Sequence, residues 1–130
     1  MPTSDRKEWS ALKENKRETG GRFERLAAEF LESKGFEILE QNYRCRMGEI
    51  DLIARDGEYL VFVEVKYRTD SRAGGALAAV GKAKQRVISK VARYYLMTHY
   101  GSVDVACRFD VVGFDDSGIC WIENAFDYCT

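Results

Sequence analysis

The stretch GEIDLIARDGEYLVFVEVKYR, residues 48–68, decides the fold: it is two strand-like runs joined at Asp56-Gly57. Asp-Gly between β-rich runs is the strongest short-range hairpin signal, because a tight primed turn needs positive φ at its central residues. Pairing Arg55 with Glu58 across that turn sets Ile53 against Leu60, Asp51 against Phe62 and Glu49 against Glu64. These side chains then share one face with Lys66, while Ile50, Leu52, Val61, Val63 and Val65 point the other way. Asp51 and Glu64 become diagonal neighbours, about 5–8 Å apart between β-carbons, a gap one bound cation spans. Both faces carry apolar residues, so both are expected to be buried. Ionised groups on such a strand are costly unless they pair or hold a metal.

Two readings meet that demand. In the structural one, Lys66 forms a salt bridge to Asp51 or Glu64. In the chemical one, Asp51, Glu64 and the main-chain carbonyl of Val65 supply the hard oxygen ligands that Mg²⁺ or Mn²⁺ accepts, with positions left for water and phosphate. Lys66 would then orient the attacking water or neutralise charge developing on phosphorus. Glu49 shares the face but stands opposite Glu64, and is expected to tune the site or to bind Arg46 or Arg68.

Outward from the hairpin, residues 22–34 place Phe23, Leu26, Ala27, Phe30 and Leu31 at helical spacing, with Gly35 as the stop. Glu24 lies on the border of that stripe. It either faces the sheet edge, adding a ligand or a water-mediated contact, or is a solvated carboxylate favoured by the helix macrodipole. Residues 4–18 read as a thin-striped peripheral helix capped by Ser4 and broken by Thr19-Gly20-Gly21. Residues 36–43 form a first strand, so three antiparallel strands are expected. A small-residue loop with Gly74-Gly75 follows, then a helix over residues 80–98, a strand over 108–114, a turn at Asp116-Ser117-Gly118 and a short strand over 119–122. The order predicts an α/β fold in which helices flank a mixed central sheet.

With 130 residues, 32% charged and 45% hydrophobic, the composition is that of an ordinary globular domain. No apolar run approaches the roughly 20 residues that span a bilayer. No membrane role is expected. The first residues lack the apolar core of a signal peptide, so the expected location is the cytoplasm. Cys45, Cys107, Cys120 and Cys129 show no CxxC pair or histidine partner, which disfavours zinc and fits reduced thiols. Net charge is −1, yet residues 71–103 contain no Asp or Glu and six basic residues: Arg72, Lys82, Lys84, Arg86, Lys90 and Arg93. A solvated helix face is the plain explanation. Steering of a phosphate backbone is the functional one, since screening makes local sign matter more than the total.

Asp51, twelve residues, then Glu64-Val65-Lys66 resembles the D…(D/E)XK core of the PD-(D/E)XK nuclease superfamily, with Ile50 where the name puts proline. More specifically, Gly21 to Ala28, Gly35-Phe36, Gly48 to Ile53, Val61 to Arg68, Lys84-Gln85-Arg86, Arg108 to Val112 and Ile122 to Phe126 together resemble the bacterial UPF0102 (YraN-like) family over residues 20–126. The family is similar in fold to archaeal Holliday-junction resolvases. The resemblance implies a restriction-endonuclease-like core of order αβββαβ with an extra N-terminal helix, so that residues 1–20 form an appendage and 21–130 the nuclease-like domain. It implies Glu24, Asp51, Glu64 and Lys66 as catalytic residues, and Mg²⁺ or Mn²⁺ as cofactor. Arg68, Lys82, Lys84, Gln85 and Arg86 are expected near the backbone of a nucleic acid, DNA first.

The expected function is a metal-dependent DNA endonuclease, with branched or damaged DNA as a substrate class. A homodimer follows if the resolvase analogy extends to junctions. The alternative is a nucleic-acid-binding protein that keeps the fold without efficient cleavage. A third reading, a protein-interaction module, has only the N-terminal helix to point to it.

Overall fold

The computed structural model describes residues 16–67 and 80–128, the side chains of residues 16–20 excepted. Most of the expected 4–18 helix, the Gly74-Gly75 loop, Arg68, Arg72 and Cys129 lie outside the described residues. The elements are α1 (Lys16–Ser33), β1 (Glu37–Cys45), β2 (Gly48–Asp56), β3 (Tyr59–Tyr67), α2 (Lys82–Tyr100), β4 (Cys107–Asp115) and β5 (Gly118–Phe126). The five strands form one sheet in sequence order. All neighbours are antiparallel except β3 and β4, which are parallel because the connection containing α2 carries the chain back to the same end. The α/β fold with a mixed sheet is thus as expected.

Each helix covers one face. Under α1, Phe23, Ala27, Ala28 and Leu31 pack on Leu52, Ala54, Val61, Val63, Val112 and Phe114. Under α2, Ile88, Val91, Ala92, Tyr95 and Leu96 pack on Ile53, Leu60, Phe62, Phe109 and Val111. Burial on both faces explains the near-continuous apolar runs of β3 and β4.

Four details of the sequence reading change. Thr19-Gly20-Gly21 does not break a helix, since α1 runs through it from Lys16. Two glycines cost an exposed helix about 2 kcal/mol relative to alanine, and the buried Phe23–Ala27–Leu31 stripe that follows offsets this. The helix closes where the Phe36 amide donates to the Leu31 carbonyl (3.1 Å) and that of Gly35 to Glu32 (3.0 Å), the pair of bonds of a Schellman end.

In the hairpin, the last pair is Asp56 with Tyr59, and Arg55 faces Leu60 rather than Glu58. Gly57, at φ 60°, takes the first central position of the turn, as type II′ turns prefer, instead of the second. The register therefore slides by two residues, which preserves the faces but brings Asp51 across from Glu64 instead of diagonal to it. Ile50 moves to the other side: it packs under α2 with Ile53, not under α1 with Leu52. The pleat breaks at the Asn42–Asp51 level, where Asn42 is left-handed at φ 56° and the β2–β3 pairs stop at Leu52–Val63.

Finally, β5 is not short but extends to Phe126. A register shift opposite Asp110 lets the strand continue past Asn124, itself at φ 53°.

The β1–β2 turn is clamped against α2. Gly48 has φ 144°, and a β-carbon there would lie 2.5 Å from Val87 Cγ1. Gly48→Ala should therefore destabilise the protein by about 2–3 kcal/mol through the clash and the positive φ. Urea unfolding checks this; a loss under about 0.5 kcal/mol would show that the turn moves freely from the helix.

Candidate active site

The site is built where β2 parts from β3. Below Leu52 the backbone pairing ends, and the Asp51 side chain takes over from the missing ladder: its Oδ2 accepts from the Val65 amide at 2.8 Å. The Asp51 and Glu64 carboxyls also share a hydrogen bond. Burial, then the charge of Glu64, pushes the Asp51 carboxyl up to about 7, against the pull of the Val65 amide and of Lys84. Beside a second carboxyl Asp51 is costly to ionise, so near neutrality it is only partly ionised.

Glu64 follows Leu60 and Phe62 on the α2 face of β3, and its side chain is only 4% exposed. Two ammonium groups converge on its Oε2. Lys66 Nζ, from the same face of the same strand, lies 3.3 Å away, and Lys84 Nζ, from the first turn of α2, lies 3.6 Å away. The Lys66–Glu64 salt bridge of the structural reading is therefore present.

Glu24 reaches the region from α1 on the opposite face. Partial burial, followed by the charges of Asp51 and Glu49, raises its carboxyl to about 7, with Arg44 opposing. It borders the centre and does not join it: among the described residues no three His, Cys, Asp or Glu side chains converge closely enough to hold an ion by themselves. Glu49 pairs with Arg44 at 3.7 Å rather than with Arg46. Asn42, with its amide oriented to satisfy both ends, donates to Glu49 Oε2 at 2.7 Å.

The expected nucleic-acid residues divide. Lys82 and Arg86 are exposed on the first turns of α2. Gln85 is turned inward, its amide donating to the Val80 carbonyl at 3.0 Å, so it braces the helix start. Lys84 belongs to the carboxylate centre. Its spacing four residues before Ile88, on the buried stripe, carried that signal. The sequence reading missed Asp110 altogether. It is fully buried and accepts from Arg108 Nε (3.1 Å), Trp121 Nε1 (3.0 Å) and the Asn124 amide (2.9 Å). An Asp between Phe109 and Val111 in a buried strand was the available sign.

The residues present fit a divalent cation. Two adjoining carboxyls, Glu64 buried and Asp51 partly buried with its ionisation made costly, are what a 2+ charge relieves, and the oxygen donors are hard. Asp51 and Glu64 would hold it, with the Val65 carbonyl and water completing the shell.

A five-strand mixed sheet with a helix on each face, and an acidic centre at the divergence of its central hairpin, defines an α/β fold compatible with a restriction-endonuclease-like core. The chain belongs to the UPF0102 family: the family model described as "Uncharacterised protein family UPF0102" matches residues 23–114. It is 52% identical over 109 residues to a UPF0102 protein of Alkalilimnicola ehrlichii, covering 84% of this chain and 86% of that one. It is 46% identical over 120 residues to a UPF0102 protein of Aeromonas hydrophila, covering 92% of each. To the UPF0102 protein YraN of Escherichia coli it is 46% identical over 112 residues, covering 85% and 86%. Among the described residues no helix is long and apolar enough to cross a membrane.

Proposed function

We propose that the protein is a Mg²⁺- or Mn²⁺-dependent endonuclease that hydrolyses phosphodiester bonds in DNA, with branched or damaged DNA as its substrate class. The observation that carries this reading is the meeting of Asp51, tied to the Val65 amide at 2.8 Å, with buried Glu64, and Lys66 Nζ 3.3 Å from Glu64. A centre built only for stability would not bring two carboxyls together at the end of a sheet, where each raises the cost of ionising the other. The metal ion supplies Lewis acidity toward the phosphate and makes a water molecule a better nucleophile near neutral pH.

The chain's own residues do the rest. Asp51 and Glu64 bind the ion and fix the phosphate's approach, with the Val65 amide locking Asp51 in place. Lys66 orients the attacking water and offsets charge developing on phosphorus. Glu24 holds water at the α1 side of the centre. Lys82 and Arg86, exposed on the first turns of α2, would meet the backbone of the nucleic acid away from the centre, and Arg68 is assigned the same role from the sequence. If four-way junctions are the substrate, two such centres act together, which calls for a homodimer.

A second reading, nucleic-acid binding without turnover, is favoured by one observation: Lys66 and Lys84 already satisfy Glu64 without a metal. Cleavage of supercoiled, single-stranded and four-way-junction DNA in Mg²⁺ or Mn²⁺ separates the two. Wild type should cut, and Asp51→Ala and Lys66→Ala should each lose about 10³-fold or more. Equal cutting by Asp51→Ala would sink the site assignment. Binding without cutting in either metal would favour the second reading.

A further inference from the structure

Two cations converge on one oxygen of Glu64, and one of them, Lys84, also acts on the neighbouring Asp51. Lys66 and Lys84 meet that oxygen, Oε2, at 3.3 and 3.6 Å. The two lysines are not equivalent. Lys66 sits two residues along the strand from Glu64, and the backbone keeps it there whatever else binds. Lys84 comes from another element, and its side chain is 38% exposed, so its ammonium group lies between the centre and solvent. Across the helix from the centre, Lys82, Arg86 and Lys90 are exposed, and α2 carries no acid from Lys82 to Tyr100. Released from Glu64, the Lys84 ammonium has no other carboxylate on its own helix to turn to.

We propose that Lys84 is a displaceable counter-ion: it neutralises Glu64 until a divalent cation takes that carboxylate, and is then released to a backbone phosphate of the nucleic acid. This rests on the metal-site reading above. The Lys84 charge repels an incoming 2+ ion and competes with it for Oε2, so the free protein binds metal less tightly than its ligands allow. When a nucleic acid is present, the freed lysine contributes one phosphate contact that the metal-free protein lacks. Metal and nucleic acid then strengthen each other's binding through this residue, and the coupling is reciprocal.

The test is a pair of measurements on Lys84→Gln, with Lys84→Arg and Lys90→Gln as comparisons and circular dichroism to confirm folding. Titration with Mn²⁺ alone should give Lys84→Gln a dissociation constant about five- to tenfold lower than wild type. Lys84→Arg should stay near wild type. Lys90→Gln, which removes the same charge from an exposed site, should change Mn²⁺ affinity less than about twofold.

Binding to a phosphorothioate DNA duplex should show the opposite trend. Mn²⁺ should raise the affinity of wild type more than that of Lys84→Gln. The slope of log affinity against log salt should differ between the two by about 0.9 with Mn²⁺ and not at all without it. A merely structural lysine, once removed, would weaken metal binding or leave it alone. Unchanged or weaker Mn²⁺ binding by folded Lys84→Gln, beside normal binding by wild type, overturns the proposal and leaves the metal site standing. Equal tightening in Lys90→Gln also overturns it, because the effect would then be long-range charge. Wild type that binds no Mn²⁺ overturns the metal-site reading and this proposal with it.

Discussion

Asp51→Asn should make the metal-free protein more stable at pH 8 while abolishing its chemistry. Asparagine keeps the geometry: its oxygen accepts from the Val65 amide as Asp51 Oδ2 does at 2.8 Å, and its NH₂ donates to Glu64 in place of the shared proton. What it removes is the ionisation penalty. The Asp51 carboxyl is raised from its ordinary 3.8 to about 7, first by burial and then by Glu64. A raised carboxyl binds its proton more tightly in the folded chain than in the unfolded one. The stability it lends is therefore complete below about pH 3.8, drains away as pH rises, and is gone above about 7. Wild type thus loses ground to Asp51→Asn across that window and stays behind at pH 8. After discounting for the water that reaches this half-buried group, the gap is about 1–2 kcal/mol, or about 5 °C in Tm. The same variant should lose about a hundredfold or more in Mn²⁺ affinity and about 10³-fold in cleavage. Thermal melts at pH 4 and pH 8 check the first part; a variant less stable than wild type at both would show that Asp51 is an ordinary structural acceptor.

Asp110→Ala should be severely destabilising. The carboxylate is fully buried and receives Arg108, the Trp121 indole and the Asn124 amide. Arg108 also bonds Asp56 at 2.9 Å, with its guanidinium over the rings of Phe36 and Tyr59, so one residue ties β2, β3, β4 and the connection just before β1 together. Truncation strands three donors and leaves a nearly buried guanidinium short of a partner, at a cost of about 3–5 kcal/mol. Asp110→Asn keeps acceptor capacity and should cost about half as much. Urea unfolding of both variants gives the comparison. A loss below about 1 kcal/mol for Asp110→Ala would mean that β5 is held by its ladder and apolar contacts alone.

Much of the fold was legible because its strongest signals are local. The Asp-Gly turn announced the hairpin, and the 3.6-residue stripes announced both packed helices. The hairpin register was wrong by two residues, yet period-two alternation made that error harmless for which residues share a face. For this reason Asp51 still lies beside Glu64, and Glu64 beside Lys66, although Asp51 was set diagonal to Glu64. The remaining misses depend on more than one strand. Ile50 changes sides because the pleat fails at Asn42 and Asp51, which involves three strands at once. The length of β5 depends on Asp110 capturing the Asn124 amide from fourteen residues away. Lys84 read as part of a basic surface because its partner, Glu64, lies in another element and charge patterning reports only neighbours in sequence. The acidic centre itself was visible as chemistry out of place, carboxylates where a doubly covered strand prefers apolar side chains.

The central claim, that Asp51 and Glu64 form a divalent-metal centre, is tested most directly by calorimetric titration of the intact protein with Mn²⁺ just below pH 7, in two buffers of different ionisation enthalpy. At that pH the raised Asp51 carboxyl is about half protonated, so binding should release about half a proton per ion and should vanish in Asp51→Asn. Absence of binding, or binding without proton release that persists in Asp51→Asn, would contradict it.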